Sequence, residues 1–112
     1  MADYILRSAT LRPVTRHRCQ VSDFLAKLAK LIANRKANPK PGSYTNQLLG
    51  DEAKAAQKVG EEATEVVVAA LAQSKERLVA EMADLIYHSL VLLETRDVRW
   101  DDVVAELEKR HK

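Results

Sequence analysis

At 112 residues and a formal net charge of +2, the chain reads as one small domain, near the size at which a second copy often supplies missing buried surface. Aromatics make up 4% and Gly and Pro number three each, which argues against a β-sandwich or barrel and for an all-α fold. A lone Cys19 excludes an intramolecular disulfide, and no apolar run has the length of a membrane span or signal-peptide core, so a reducing, cytoplasmic setting is expected.

Charge is unevenly spread. Residues 1–20 hold Arg7, Arg12, Arg16 and Arg18 against Asp3 alone, which leaves the remainder at about −1 by difference. This lead has neither the amphipathic repeat of a transit peptide nor the aromatic–basic interleaving of a nucleic-acid arm. It reads as a basic N-terminal extension over 1–20, with the folded domain at 21–112, and neither nucleic acid nor membrane is expected as a partner.

Ser22 is expected to cap a first helix carrying Phe24, Leu25, Leu28, Leu31 and Ile32 at helical spacing, which ends in the breaker-rich run from Asn38 to Ser43. Ser43 can cap a short turn from Tyr44 to Leu49. Gly50 and Asp51 then restart the chain for a helix of about 20 residues. Gln73 and Ser74 form a tight joint, and a third long helix runs to about Arg96. Asp101 is expected to cap a last amphipathic helix with Val103, Val104 and Leu107 on one side and Lys109, Arg110 and His111 near its C-terminus, where positive charge suits the dipole. The expected architecture is a bundle of about four helices, completed by dimerisation, because Val66 to Ala72 is apolar all round and the chain has few elements to cover it.

Two runs carry the chemistry. KVGEEATE contains Glu61, Glu62 and Glu65, and EMADLIYH contains Glu81 and Asp84. At about 100° per residue, each set falls on one side of its helix, so an antiparallel pair could gather four or five oxygen ligands around a hard cation. Lys54 and Lys58 project onto the side of the first set, Arg77 lies one turn before Glu81, and His88 shares the arc of Glu81 and Asp84. The plainer alternative is a pair of solvated faces laced with ion pairs. Against it, the first side continues into Val68, Ala69 and Ala72 and the second into Val91 and Leu92, which puts the acids at the edge of a core. Their mutual repulsion needs a compensating charge. An oxygen donor set without a Cys pair or His pair favours Mg²⁺ or Mn²⁺ over Zn²⁺. A di-iron site is disfavoured, since it would require Glu-x-x-His pairs on two helices, whereas Asp84 and His88 are four apart. Gly60 reads either as a close approach of backbone or substrate or as a tolerated packing glycine. His88 reads as a core residue or a substrate contact before a metal ligand.

The pattern E-E-x-x-E followed by E-x-x-D, here Glu61-Glu62-Ala63-Thr64-Glu65 and Glu81-Met82-Ala83-Asp84, resembles that of the MazG-like all-α nucleoside triphosphate pyrophosphatases. The stretches GSYTNQLL (42–49), KVGEEATEVVVAA (58–70) and ADLIYHSLVLL (83–93) resemble more narrowly the phosphoribosyl-ATP pyrophosphohydrolases of histidine biosynthesis, over roughly residues 22–110. The resemblance implies a dimeric helical bundle that cleaves phosphoribosyl-ATP to phosphoribosyl-AMP and pyrophosphate with Mg²⁺. It implies that Glu62, Glu65, Glu81 and Asp84 hold the metal, with Glu61 as a further ligand, an outer-sphere group or a base. Ser43, Tyr44, Thr45, Lys58 and His88 look like substrate contacts by the same resemblance, and Lys54 and Arg77 are placed with them by geometry. The cyclohydrolase activity fused in some relatives is expected to be absent. A house-cleaning pyrophosphatase acting on non-standard or excess nucleotides is the alternative enzyme, and a helical interaction module the non-enzymatic one.

Overall fold

A computed structural model describes the backbone over residues 14–111 and the side chains over residues 24–111. Five α-helices follow in order, α1 (Val14–Ala37), α2 (Tyr44–Leu49), α3 (Glu52–Ala72), α4 (Lys75–Thr95) and α5 (Trp100–Arg110), and no strand occurs among the described residues. This is the all-α bundle expected from composition, with four longer helices and the short α2.

The turn chemistry places most boundaries. Ser43, Asp51 and Ser74 each accept a hydrogen bond from the backbone N–H three residues on, at Asn46, Lys54 and Arg77. Each satisfies one of the donors that a helix start leaves free, a contribution of about 1 kcal/mol. Two starts differ from expectation. Helix α1 runs straight through Ser22 from Val14, because residues 14–21 contain no Gly or Pro to interrupt it and a serine favours a cap without enforcing one. The expected domain boundary after residue 20 thus falls inside α1, and residues 1–13 of the basic lead lie outside the described part. Helix α5 begins at Trp100, with Arg99 at the cap position. The Asp102 carboxylate, and not that of Asp101, accepts from the Arg99 N–H at 3.2 Å. Both aspartates therefore occupy the first turn, where negative charge suits the helix dipole.

Helices α3 and α4 form a hairpin across Gln73 and Ser74 and pack along their length, with α1 and α2 laid against α4 and α5 against α1. The core gathers one or two side chains from each of four helices: Ile32 of α1, Leu48 of α2, Ala55 of α3, and Leu90 and Val91 of α4. Leu28, Leu49, Ile86, Tyr87, Leu92 and Trp100 are among the residues packed around it. Six residues of α2 cannot hold helical form alone. Burial of Leu48, worth about 1.5–3 kcal/mol, is what seats this element. At the far end Lys36 Nζ reaches Asp97 Oδ1 at 2.7 Å and the Glu94 carbonyl at 2.9 Å, tying the end of α1 to the end of α4. Asp97 takes a left-handed conformation at φ 58°, which aspartate tolerates better than most side chains.

Candidate active site

The α3–α4 hairpin brings the two acidic runs face to face. One carboxylate oxygen each from Glu62, Glu81 and Asp84 lies within 4.8 Å of the others. Two of the three are withdrawn from water, with side-chain exposure of 12% for Glu62 and 8% for Glu81, while Asp84 stays open to solvent. These three are the expected ligands that the structure gathers. Glu65, one turn beyond Glu62, is exposed and stands outside the group. Glu61 is half-exposed and turned to its own helix, where Gln57 Nε2 donates to it at 2.7 Å and Lys58 Nζ lies at 3.2 Å.

At an effective dielectric of 20, two unit charges at the 4.8 Å outer limit of this group repel by about 3.5 kcal/mol. Two cations offset this within the chain. Lys58 bridges Glu61 and Glu62, the latter at 3.4 Å, and the Arg77 guanidinium pairs with Glu81 from one turn before it. The bond from Gln57, then that from Lys58, holds the Glu61 carboxyl below the usual glutamate range. The bond to Glu61 in turn raises the Lys58 ammonium above the usual lysine value, against a smaller opposing effect of desolvation. Lys54 adds positive potential at Glu61, and its own backbone N–H is spent on the Asp51 cap.

Helix α2 brings a third set of groups to the same end of α4. Tyr44 Oη lies 3.0 Å from His88 Nε2, and the hydroxyls of Thr45 and Tyr87 are hydrogen-bonded to each other. The turn before α2 is braced by Arg35, whose guanidinium donates to Ser43 Oγ at 3.0 Å. Asn46 braces it too, donating to the Arg35 carbonyl at 2.9 Å and accepting from the Lys40 N–H at 2.8 Å. The sequence reading gave no role to Tyr87, Gln57, Arg35 or Asn46. Spacing alone could have found Gln57, four residues before Glu61 on the same face. The roles of Arg35 and Asn46 depend on a fold-back of the chain that no periodicity records. A side chain placed on Gly60 would meet nothing within 4 Å among the described residues, so no close approach by them explains that glycine.

The donor set suits a hard divalent cation. It is all oxygen, with no Cys or His in the group. An octahedral Mg²⁺ with bonds near 2.1 Å holds its ligand oxygens about 3.0 Å apart in cis and about 4.2 Å in trans. The three oxygens, all within 4.8 Å of one another, are close enough together for one such ion to be shared among them.

Over residues 25–111 the chain matches the model of the phosphoribosyl-ATP pyrophosphohydrolase family. It is 45% identical over 92 residues to a phosphoribosyl-ATP pyrophosphatase of Clostridium acetobutylicum, covering 81% of this chain and 84% of that one. It is 46% identical over 92 residues to a phosphoribosyl-ATP pyrophosphatase of Saccharolobus islandicus, covering 81% and 98%. A match at 48% identity over 91 residues to the histidine biosynthesis bifunctional protein HisIE of Caldanaerobacter subterraneus covers 80% of this chain and 44% of that longer protein. The matched region contains α2, α3 and α4 entire, with all the groups just described, and the chain belongs to the phosphoribosyl-ATP pyrophosphohydrolase family.

Proposed function

We propose that this chain hydrolyses phosphoribosyl-ATP to phosphoribosyl-AMP and pyrophosphate, the second step of histidine biosynthesis, with Mg²⁺ as cofactor and Mn²⁺ as a substitute. The observation that carries the reading is the convergence of Glu62, Glu81 and Asp84 in a chain of this family. These three would hold the ion, and Glu65, one turn beyond Glu62 on α3, is proposed as a further ligand. Bound there, a divalent cation supplies positive charge to phosphate oxygens and lowers the pKa of a coordinated water. Glu61, exposed and bonded to Gln57 and Lys58, is proposed as a further ligand, an outer-sphere group or the base for an attacking water. Lys54, Lys58 and Arg77 supply cationic charge where a pyrophosphate leaves, Lys58 and Arg77 from their ion pairs with the acids. Tyr44 and Thr45 present the substrate-facing side of α2.

The assay is product analysis with purified protein, phosphoribosyl-ATP and Mg²⁺, with ATP and dUTP as controls. Pyrophosphate release from phosphoribosyl-ATP is expected to fall by at least about 100-fold in Glu62→Gln, since the substitution removes one of few ligand charges. Faster turnover of dUTP or dCTP than of phosphoribosyl-ATP would move the chain to nucleotide house-cleaning.

The working form proposed is a homodimer in the cytoplasm, with the small-molecule substrate as its only other partner. In support, Val67, Val68 and Leu71 of α3 and Val79 and Met82 of α4 are all exposed apolar side chains of the hairpin, which a second copy could cover. No helix of the described residues is long and apolar enough to cross a membrane.

A further inference from the structure

Two polar residues are buried among the described residues, Glu81 and His88, and the reaction above uses only the first. Both nitrogens of His88 are engaged within the chain. Nδ1 lies 2.7 Å from the backbone carbonyl oxygen of Asp84. A carbonyl can only accept, so Nδ1 carries the hydrogen, and in the neutral ring Nε2 is left as an acceptor. The partner of Nε2, 3.0 Å away, is the Tyr44 hydroxyl, which therefore donates. On the neighbouring residue of each helix, Tyr87 and Thr45 make a second hydroxyl bond. Adjacent residues of α4 thus hold adjacent residues of α2.

The consequence falls on Tyr44. Its hydroxyl is tethered, yet the residue is 45% exposed and sits close enough to Lys58 for the two to interact electrostatically. A ring held by one end beside the acids can offer its face to a nucleotide at little cost in side-chain ordering. We infer that His88 is a positioning residue: locked by the Asp84 carbonyl, it accepts the Tyr44 hydroxyl bond and so fixes the Tyr44 ring against the substrate, while itself touching neither substrate nor metal. The inference rests on the proposed function, because it takes Tyr44 as a substrate contact.

A double-mutant cycle tests it. His88→Asn keeps a donor near the Asp84 carbonyl but ends short of Tyr44, whereas His88→Gln can carry an acceptor to the hydroxyl. Kinetics on phosphoribosyl-ATP are expected to show KM raised about tenfold in His88→Asn with kcat within about threefold, and most of the loss restored in His88→Gln. In a Tyr44→Phe background, His88→Asn should add less than about a twofold further change. Additive losses, or a fall in kcat at unchanged KM, would overturn the assignment. The ¹⁵N spectrum of His88 gives a readout that needs no His88 variant to fold. Expected are a protonated Nδ1 and a bare Nε2 whose signal moves in Tyr44→Phe; the opposite tautomer, or an unmoved signal, overturns the proposal. Wild-type turnover of ordinary nucleoside triphosphates alone would refute the proposed substrate and leave the cycle to be decided on those. Inactivity on every triphosphate would refute both.

Discussion

Arg77→Met isolates the charge that faces the most enclosed carboxylate of the group. Arg77 pairs with Glu81, whose side chain is 8% exposed, while the guanidinium itself is 55% exposed. Methionine keeps the helix propensity and most of the apolar stem, so the change removes charge with little else. At the 4.8 Å outer limit of the group, a charge pair of Glu81 with Glu62 or Asp84 represents about 3.5 kcal/mol of repulsion at an effective dielectric of 20. A half-exposed arginine relieves only part of that, about 1 kcal/mol after solvent screening. In metal-free protein the variant should melt about 4–8 °C lower. A bound divalent cation would take over the role of the guanidinium, so saturating Mg²⁺ should close most of that gap. The same 1 kcal/mol appears as about fivefold tighter Mn²⁺ binding by titration calorimetry. Equal destabilisation with and without Mg²⁺, or an unchanged metal affinity, would refute the view that arginine and cation serve one carboxylate in turn.

Other predictions rest on separate features. Leu71, 83% exposed on α3, lies in the proposed subunit contact, so Leu71→Glu should convert a dimer to a monomer in light scattering; a wild type already monomeric at micromolar concentration would contradict the contact. Leu48→Ala removes the side chain that seats α2 and should cost about 3 kcal/mol in urea unfolding; a loss below about 1 kcal/mol would mean α2 is held by its polar bonds instead. The Lys36 ammonium is raised above its usual 10.5 chiefly by the hydrogen bond to Asp97. Its contribution to stability is therefore complete below that value and is lost as pH rises through the higher folded value. Lys36→Met should flatten the alkaline fall of the melting temperature, and an unchanged slope would count against the tie between α1 and α4.

What the sequence disclosed and what it withheld divide along physical lines. Ser43, Asp51 and Ser74 announce helix starts because a short polar side chain can satisfy a free N–H locally, and the structure uses all three. The meeting of Glu62 with Glu81 and Asp84 was legible because helical period and a two-residue joint leave little freedom in how the hairpin closes. The start of α1 was not, since nothing in residues 14–21 marks an end. Nor were the positions of Glu65 and Glu61 relative to the group. Period assigns a side chain to a face, but three rotatable bonds then decide which partner the carboxylate meets, and Gln57 and Lys58 claim Glu61. The Tyr44–His88 and Thr45–Tyr87 bonds depend on how a six-residue helix settles on α4, a matter of packing that local pattern does not encode.

The hairpin has a bearing on folding rate. All three gathered carboxylates belong to α3 and α4, joined by Gln73 and Ser74, so the site closes within one helical hairpin, a unit whose contacts are more local than those α2 makes with α4. If the hairpin forms before α2 docks, the repulsion among the acids is met on the way to the transition state. A divalent cation that binds the hairpin would accelerate refolding as well as slow unfolding, whereas a ligand of the α2 groups, which arrive from another part of the chain, would act on unfolding alone.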